Sequence, residues 1–165
     1  MIFRMGRTSL LCLCISLSIS SMAFGGLGQS ESSCEDEAQF FNVKSHEVVT
    51  NEKYKVHTLR LNSGMVINEY VANNIVFGVS WRGTRYHPQF DKLLGVHFNE
   101  YKAHENELHH HKGTRNETPN SKGSRFSTLR TTKIVMTLGG HMGSPSGSAF
   151  APNSMPEGLS MDEVR

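Results

Sequence analysis

The chain has 165 residues, with 17 basic and 15 acidic side chains and a formal charge of +2 when histidine is neutral. That length holds one core and one domain, and the near balance of charge excludes a partner captured by net electrostatic pull, such as nucleic acid or an anionic membrane surface. The small basic excess lies entirely in Arg4 and Arg7, before a short apolar run from Leu10 to Ile19. Ser21-Met22-Ala23 places small residues where a signal peptidase reads, so residues 1–23 are expected to be a cleaved signal peptide. The apolar run is too short for a stable membrane span, which takes about 20 residues. The expected mature chain, Phe24 to Arg165, carries 15 basic and 15 acidic residues and is exported, periplasmic or secreted.

Cys12 and Cys14 leave with the signal, so Cys34 is the only mature cysteine and no internal disulfide can form. Glu35, Asp36 and Glu37 follow it and disfavour the thiolate, the reactive form. Residues 24–51 open with Gly25-Gly26-Leu27-Gly28 and lack apolar periodicity, which reads as a flexible N-terminal arm carrying an inert thiol. Pairing of that thiol with another chain is the competing reading.

Three strands are expected next, at Tyr54–Leu61, Met65–Val71 and Ile75–Trp81, separated by the turns Asn62-Ser63-Gly64 and Ala72-Asn73-Asn74. In the third, Ile75, Phe77, Val79 and Trp81 alternate with Val76, Gly78 and Ser80, predicting that the first set shares one buried face. Short links make these an antiparallel β-meander. From Gln89 the pattern turns helical: Phe90, Leu94, His97, Tyr101 and Leu108 fall on one arc, predicting an amphipathic helix of about five turns that ends before Gly113. Residues 112–127 read as a polar, solvated loop, with Asn116-Glu117-Thr118 as a glycosylation acceptor only on a eukaryotic secretory route. Leu129–Leu138 reads as a fourth strand, Gly139–Gly143 as a turn, Ser146–Pro152 as a short fifth strand, and Asn153–Arg165 as a tail whose Leu159 and Met161 pack locally. The expected fold is α+β: an antiparallel β-meander, one amphipathic helix and one or two further strands, forming a single domain over residues 52–165.

The order of several short segments is itself informative. Asn62-Ser63-Gly64-Met65-Val66-Ile67-Asn68-Glu69-Tyr70-Val71 precedes Val76-Phe77-Gly78-Val79-Ser80-Trp81-Arg82-Gly83; Leu93-Leu94-Gly95-Val96-His97-Phe98, Gly139-Gly140-His141-Met142 and Pro156-Glu157-Gly158-Leu159-Ser160 follow. Together they resemble an uncharacterised family of exported proteobacterial proteins, a domain of unknown function. The resemblance covers about Tyr54 to Arg165 and implies export. It brings no activity and transfers no site residues. The histidine-rich stretch from His104 to Ser127 departs from it.

The sharpest local chemistry is a stripe on the predicted helix. His97, Glu100, His104, Glu107 and His111 are spaced three and four residues apart, as neighbours on a helix surface are. Neutral imidazoles and carboxylates in that spacing can offer pairs of ligands to zinc, copper or nickel; the plainer reading is the solvated edge of the helix. His141 sits on a glycine turn and reads as a turn residue. Leu108, not a histidine, stands four residues after His104, which excludes a zinc-protease motif, and no Gly-x-Ser-x-Gly elbow is present. The sequence therefore points away from an enzyme and names no cofactor. The expected function is an exported non-catalytic module that binds an envelope component, with a periplasmic transition-metal binder as the alternative.

Overall fold

The structure, a computed structural model, describes residues 26–83, 85–111, 127–141 and 143–164, and for residues 107–111 and 163 the backbone alone. Seven strands form one antiparallel sheet: β1 (Val43–Thr50), β2 (Lys55–Leu61), β3 (Val66–Ala72), β4 (Ile75–Arg82), β5 (Ser127–Arg130), β6 (Val135–His141) and β7 (Ser144–Phe150), in the order β1-β2-β3-β4-β7-β6-β5. Two meanders, β1 to β4 and β5 to β7, join where β4 pairs with β7. The helices are α1 (Ser33–Phe40), α2 (Phe90–Leu93) and α3 (Phe98–His111).

Turn chemistry fixes the first meander. Asn73 and Asn74 both have positive φ, 52° and 62°, which suits the tight two-residue link between β3 and β4. The Asn51 side chain accepts hydrogen bonds from the Lys53 and Tyr54 amides and closes the β1–β2 turn.

The sheet buries both faces, unequally. Leu59, Ile67, Val79, Trp81, Met136 and Ala149 form the larger core with Leu27, Cys34, Leu93 and Leu94 from the segments packed over that face. On the other face Tyr70, Phe77 and Phe150 pack beneath the C-terminal tail, with Met155, Leu159, Met161 and the buried Val164 over them. The tail thus reaches from one end over part of the second face.

Five expectations need correction. Phe77 is wholly buried, but not on the face of Val79 and Trp81. Tyr70 pairs with Gly78 and Val71 with Val76, so Phe77 is an extra residue in β4. This bulge turns its ring toward Tyr54 and Tyr70, at centroid distances of 5.9 and 6.2 Å. The expected flexible arm at 24–51 is, over its described residues 26–51, part of the fold: α1 and β1 lie within it, Leu27 is wholly buried, and Gly28 and Gln29 exchange backbone hydrogen bonds with Val76 at 2.8 Å. Cys34 is therefore a core residue. The long amphipathic helix is broken into α2, a 3₁₀ turn at Gly95–His97 and α3, because Gly95 takes φ +49°, which an α-helix cannot continue through. Leu129–Leu138 is two strands, β5 and β6, joined by a turn in which Thr131 Oγ1 accepts from the Lys133 and Ile134 amides; Gly139–His141 continue β6 and pair with Ser144–Ser146. The expected signal at residues 1–23 and all but the last residue of the expected polar loop at 112–127, Asn116 included, lie outside the described residues.

Candidate functional site

Strand register assembles a feature that no single strand displays. Thr58 of β2 pairs with Asn68 of β3, Asn68 with Ser80 of β4, Ser80 with Ser148 of β7, Ser148 with Thr137 of β6, and Thr137 with Thr128 of β5. Paired residues point to the same side of a sheet, so six short polar side chains form one row across six strands. Thr128 is exposed and the other five are partly exposed. Thr58 Oγ1 donates to Asn68 Oδ1 at 3.1 Å, and Asn68 Nδ2 donates to Ser80 Oγ at 3.4 Å. The Tyr70 hydroxyl, from the neighbouring covered row, shares a 3.1 Å hydrogen bond with Ser80 Oγ.

The row lies on the second face, where the described residues of the tail pack on Tyr70, Phe77 and Phe150 beside it. The covered row beside it runs through Val56, Tyr70, Gly78, Phe150 and Val135; the open row on its other side runs through Arg60, Val66, Arg82, Ser146 and Gly139. Val66, Asn68, Ser80, Arg82, Ser146 and Ser148 line an open groove of about 310 Å³. Arg60 and Arg82 are exposed there. Beneath the groove, Trp81 packs on the opposite face because Gly147 leaves room: a Cβ at Gly147 would lie 2.4 Å from Trp81 Cζ2.

A second polar cluster is buried on the helical face. α1 lays Cys34 and Glu37 over Glu69 of β3; Cys34 and Glu69 are 0% exposed and Glu37 2%. Among the described residues the carboxyl oxygens of Glu37 and Glu69 meet only each other and the Cys34 thiol. Burial holds both carboxyls well above the usual range, and for Glu37 the adjacent Glu69 charge adds to it. Burial, reinforced by the charge of Glu69, likewise pushes the Cys34 thiol up, so it is an inert core group. No solute reaches Cys34 or Glu69 while α1 is docked.

At the rim of this cluster Glu31 anchors the N-terminal segment. Lys55 Nζ donates to both Glu31 oxygens, at 2.7 and 2.9 Å, and holds that carboxyl below its ordinary range. An ionised carboxylate only accepts, so His57 donates from Nε2 to Glu31 Oε1, at 3.3 Å. His57 Nδ1 must then accept from His46 Nε2, 3.0 Å away. Burial lowers the His57 pKa against the pull of Glu31, which fits this neutral, relayed tautomer.

The predicted histidine stripe is dispersed. His97 lies in the 3₁₀ turn rather than on α3, partly buried, with its pKa lowered chiefly by burial. Glu100 is engaged by Thr131 Oγ1 at 3.2 Å and by Lys133 Nζ at 3.1 Å. His104 is partly buried beside Tyr101, Leu129 and Met136. The backbone of Glu107 and His111 continues α3, and their side chains lie outside the described residues. His104 and His111 are seven residues apart, about 10.5 Å along the helix axis. Among the described residues no group of three or more His, Cys, Asp or Glu is gathered to hold a metal. His141 is exposed at the end of β6.

The polar row was only half legible in sequence. Ser80 falls opposite Val79 and Trp81 by alternation, but which residues of six strands align depends on pairing and on the Phe77 bulge. The buried cluster escaped because Glu37 and Glu69 look like ordinary surface carboxylates. Comparison with curated proteins finds no match, and neither does comparison with solved structures. A family model does match: that of DUF2844, described as a protein of unknown function, over residues 23–164. This match spans most of the chain, which therefore belongs to the DUF2844 family of proteins of unknown function.

Proposed function

We propose that the protein is an exported, non-catalytic module that binds a component of the cell envelope through the open face of its sheet. The observation that carries this reading is the register-aligned row from Thr58 to Thr128, left open between the tail-covered row and the arginine-bearing row. Packing explains the rest of the sheet; it does not explain six hydrogen-bonding side chains in one line. Export rests on the Arg4, Arg7, Leu10–Ile19 and Ser21-Met22-Ala23 pattern, and the family match begins at residue 23, where that segment ends. Among the described residues no helix is long and apolar enough to cross a membrane. Cys34 and Glu69 are sealed in the core, so neither is presented to a solute.

Co-sedimentation with washed envelope from the native host tests the proposal. The wild-type protein should pellet with the envelope, and the triple variant Asn68→Ala/Ser80→Ala/Ser148→Ala should stay in solution while keeping its circular dichroism spectrum. Equal pelleting of both folded proteins would overturn the role of the row.

A transition-metal role is the second reading. It is favoured by the unbroken helix from Phe98 to His111, which sets His104 and Glu107 at three residues and Glu107 and His111 at four. Zinc titration of untagged protein tests it: binding should be opposed by acid, since a ligating imidazole must be neutral, and should fall in Glu107→Gln. Affinity unchanged by Glu107→Gln and by pH would remove it.

A further inference from the structure

The open face has a chemistry more specific than polarity. Its row consists of five hydroxyls and one amide, each of which both donates and accepts, and it ends on β1 at the Glu47 carboxylate, which pairs with Thr58 and faces Arg60. Adjacent strands lie about 4.8 Å apart, so the row offers hydrogen-bonding groups at a regular pitch along roughly 24 Å. It contains no aromatic or large aliphatic side chain. Protein partners bind through such anchors seated in desolvated pockets, and single-stranded nucleic acid binds by stacking bases on aromatic side chains; neither finds its anchor here. A sugar chain needs what the row supplies, since each ring presents several hydroxyls at a spacing close to that between strands.

Charge narrows the class. Arg60 and Arg82 stand on the row adjoining the hydroxyls, two strands apart, with Val66 between them. Arg82 has no carboxylate partner among the described residues, and Arg60 meets only Glu47, at 3.9 Å, between two half-exposed side chains. Arginine is the side chain best fitted to a carboxylate, because its planar fork gives two parallel hydrogen bonds.

Resting on the reading that this face is the binding surface, we infer that its ligand is a chain of acidic sugars. The hydroxyl row lies along the chain, and Arg60 and Arg82 pair with its carboxylates. Binding involves no covalent step, so specificity rests on the two arginines and the row together.

The probe is a hexamer of galacturonic acid, with cellohexaose as the uncharged counterpart and a short oligothymidine as a non-sugar polyanion, each titrated into the isotope-labelled protein by nuclear magnetic resonance. The acidic hexamer should shift the signals of Thr58, Asn68, Ser80, Ser148 and Thr137, and added salt should weaken it. Arg82→Gln should reduce affinity about tenfold or more, the effect of losing one charge-assisted pair. Arg82 is exposed, so the folded spectrum should otherwise persist. Equal affinity for cellohexaose, tighter binding of oligothymidine, or no shift with the acidic hexamer would each overturn the acidic-sugar assignment. The envelope co-sedimentation of the Asn68→Ala/Ser80→Ala/Ser148→Ala variant separates the two failures: if its pelleting is lost while the hexamer does not bind, the face stands and only the ligand class falls.

Discussion

Glu37 and Glu69 give this protein a pH dependence opposite in sign to that of a salt-bridged carboxylate. In the unfolded chain each loses its proton near pH 4.3. In the fold, burial raises both, so the native state holds protons that the unfolded state has released. Stability is then greatest below the unfolded value and is lost as pH rises toward the folded ones, by about 1.4 kcal/mol per pH unit for each retained proton. His57 and His97 act in the other direction. Their pKa values are lowered, so their contribution is present above about 6.5 and lost as pH falls through the folded values. Cys34 and Tyr101, both raised, enter only near pH 8.5 and above. Across the window from about pH 7.5 to 8.5 the carboxyl pair therefore dominates, with the Cys34 thiol adding a smaller loss of the same sign at its upper end. One retained proton predicts a loss of about 1.4 kcal/mol across it, measured by urea unfolding at each pH. Glu37→Gln keeps the shape without the titrating proton and should flatten the slope, becoming more stable than wild type at pH 8.5. A wild-type stability that is level or rises across that window would refute proton retention by the pair.

The packing makes further predictions. Phe77→Ala should cost about 3–5 kcal/mol, because the ring is wholly buried among Tyr54, Tyr70 and the tail; a loss below about 1 kcal/mol in urea unfolding would contradict the bulge that turns it there. Gly147→Ala should cost about 1–3 kcal/mol by overpacking and shift the fluorescence of Trp81, the single tryptophan. An unchanged spectrum and stability would contradict the contact between that glycine and the indole. Mass spectrometry of the exported protein should find Phe24 at its N-terminus; recovery of chains beginning at Met1 from the cytoplasm alone would overturn export.

Elements with strong local periodicity were legible in sequence. β2, β3 and β4 fall within a residue or two of their expected spans because alternation and the Asn73-Asn74 turn act over short distances. What escaped depends on partners far along the chain. α1 carries few apolar residues, and β1 is exposed over its second half as an edge strand, so neither shows the pattern of a buried element. The helix after Gln89 kept its apolar arc on paper, but one glycine with positive φ redirects it. The polar row shows this most plainly: Thr58 and Thr128 are 70 residues apart in the chain and belong to the same line only once six strands pair. A single sequence shows which side chains share a strand face; it does not show which strands stand side by side.

Three of the six row residues are threonines, which gives the central claim a direct measurement. Threonine methyl groups, isotope-labelled and observed by nuclear magnetic resonance, report Thr58, Thr128 and Thr137 on the open face, while Thr131 and Thr132 in the β5–β6 turn serve as internal controls. Titration with solubilised envelope from the native host should shift or broaden the three row signals and leave the two turn signals in place. Perturbation of Thr131 and Thr132 with the row unmoved, or no change at any threonine, would contradict an open sheet face as the binding surface.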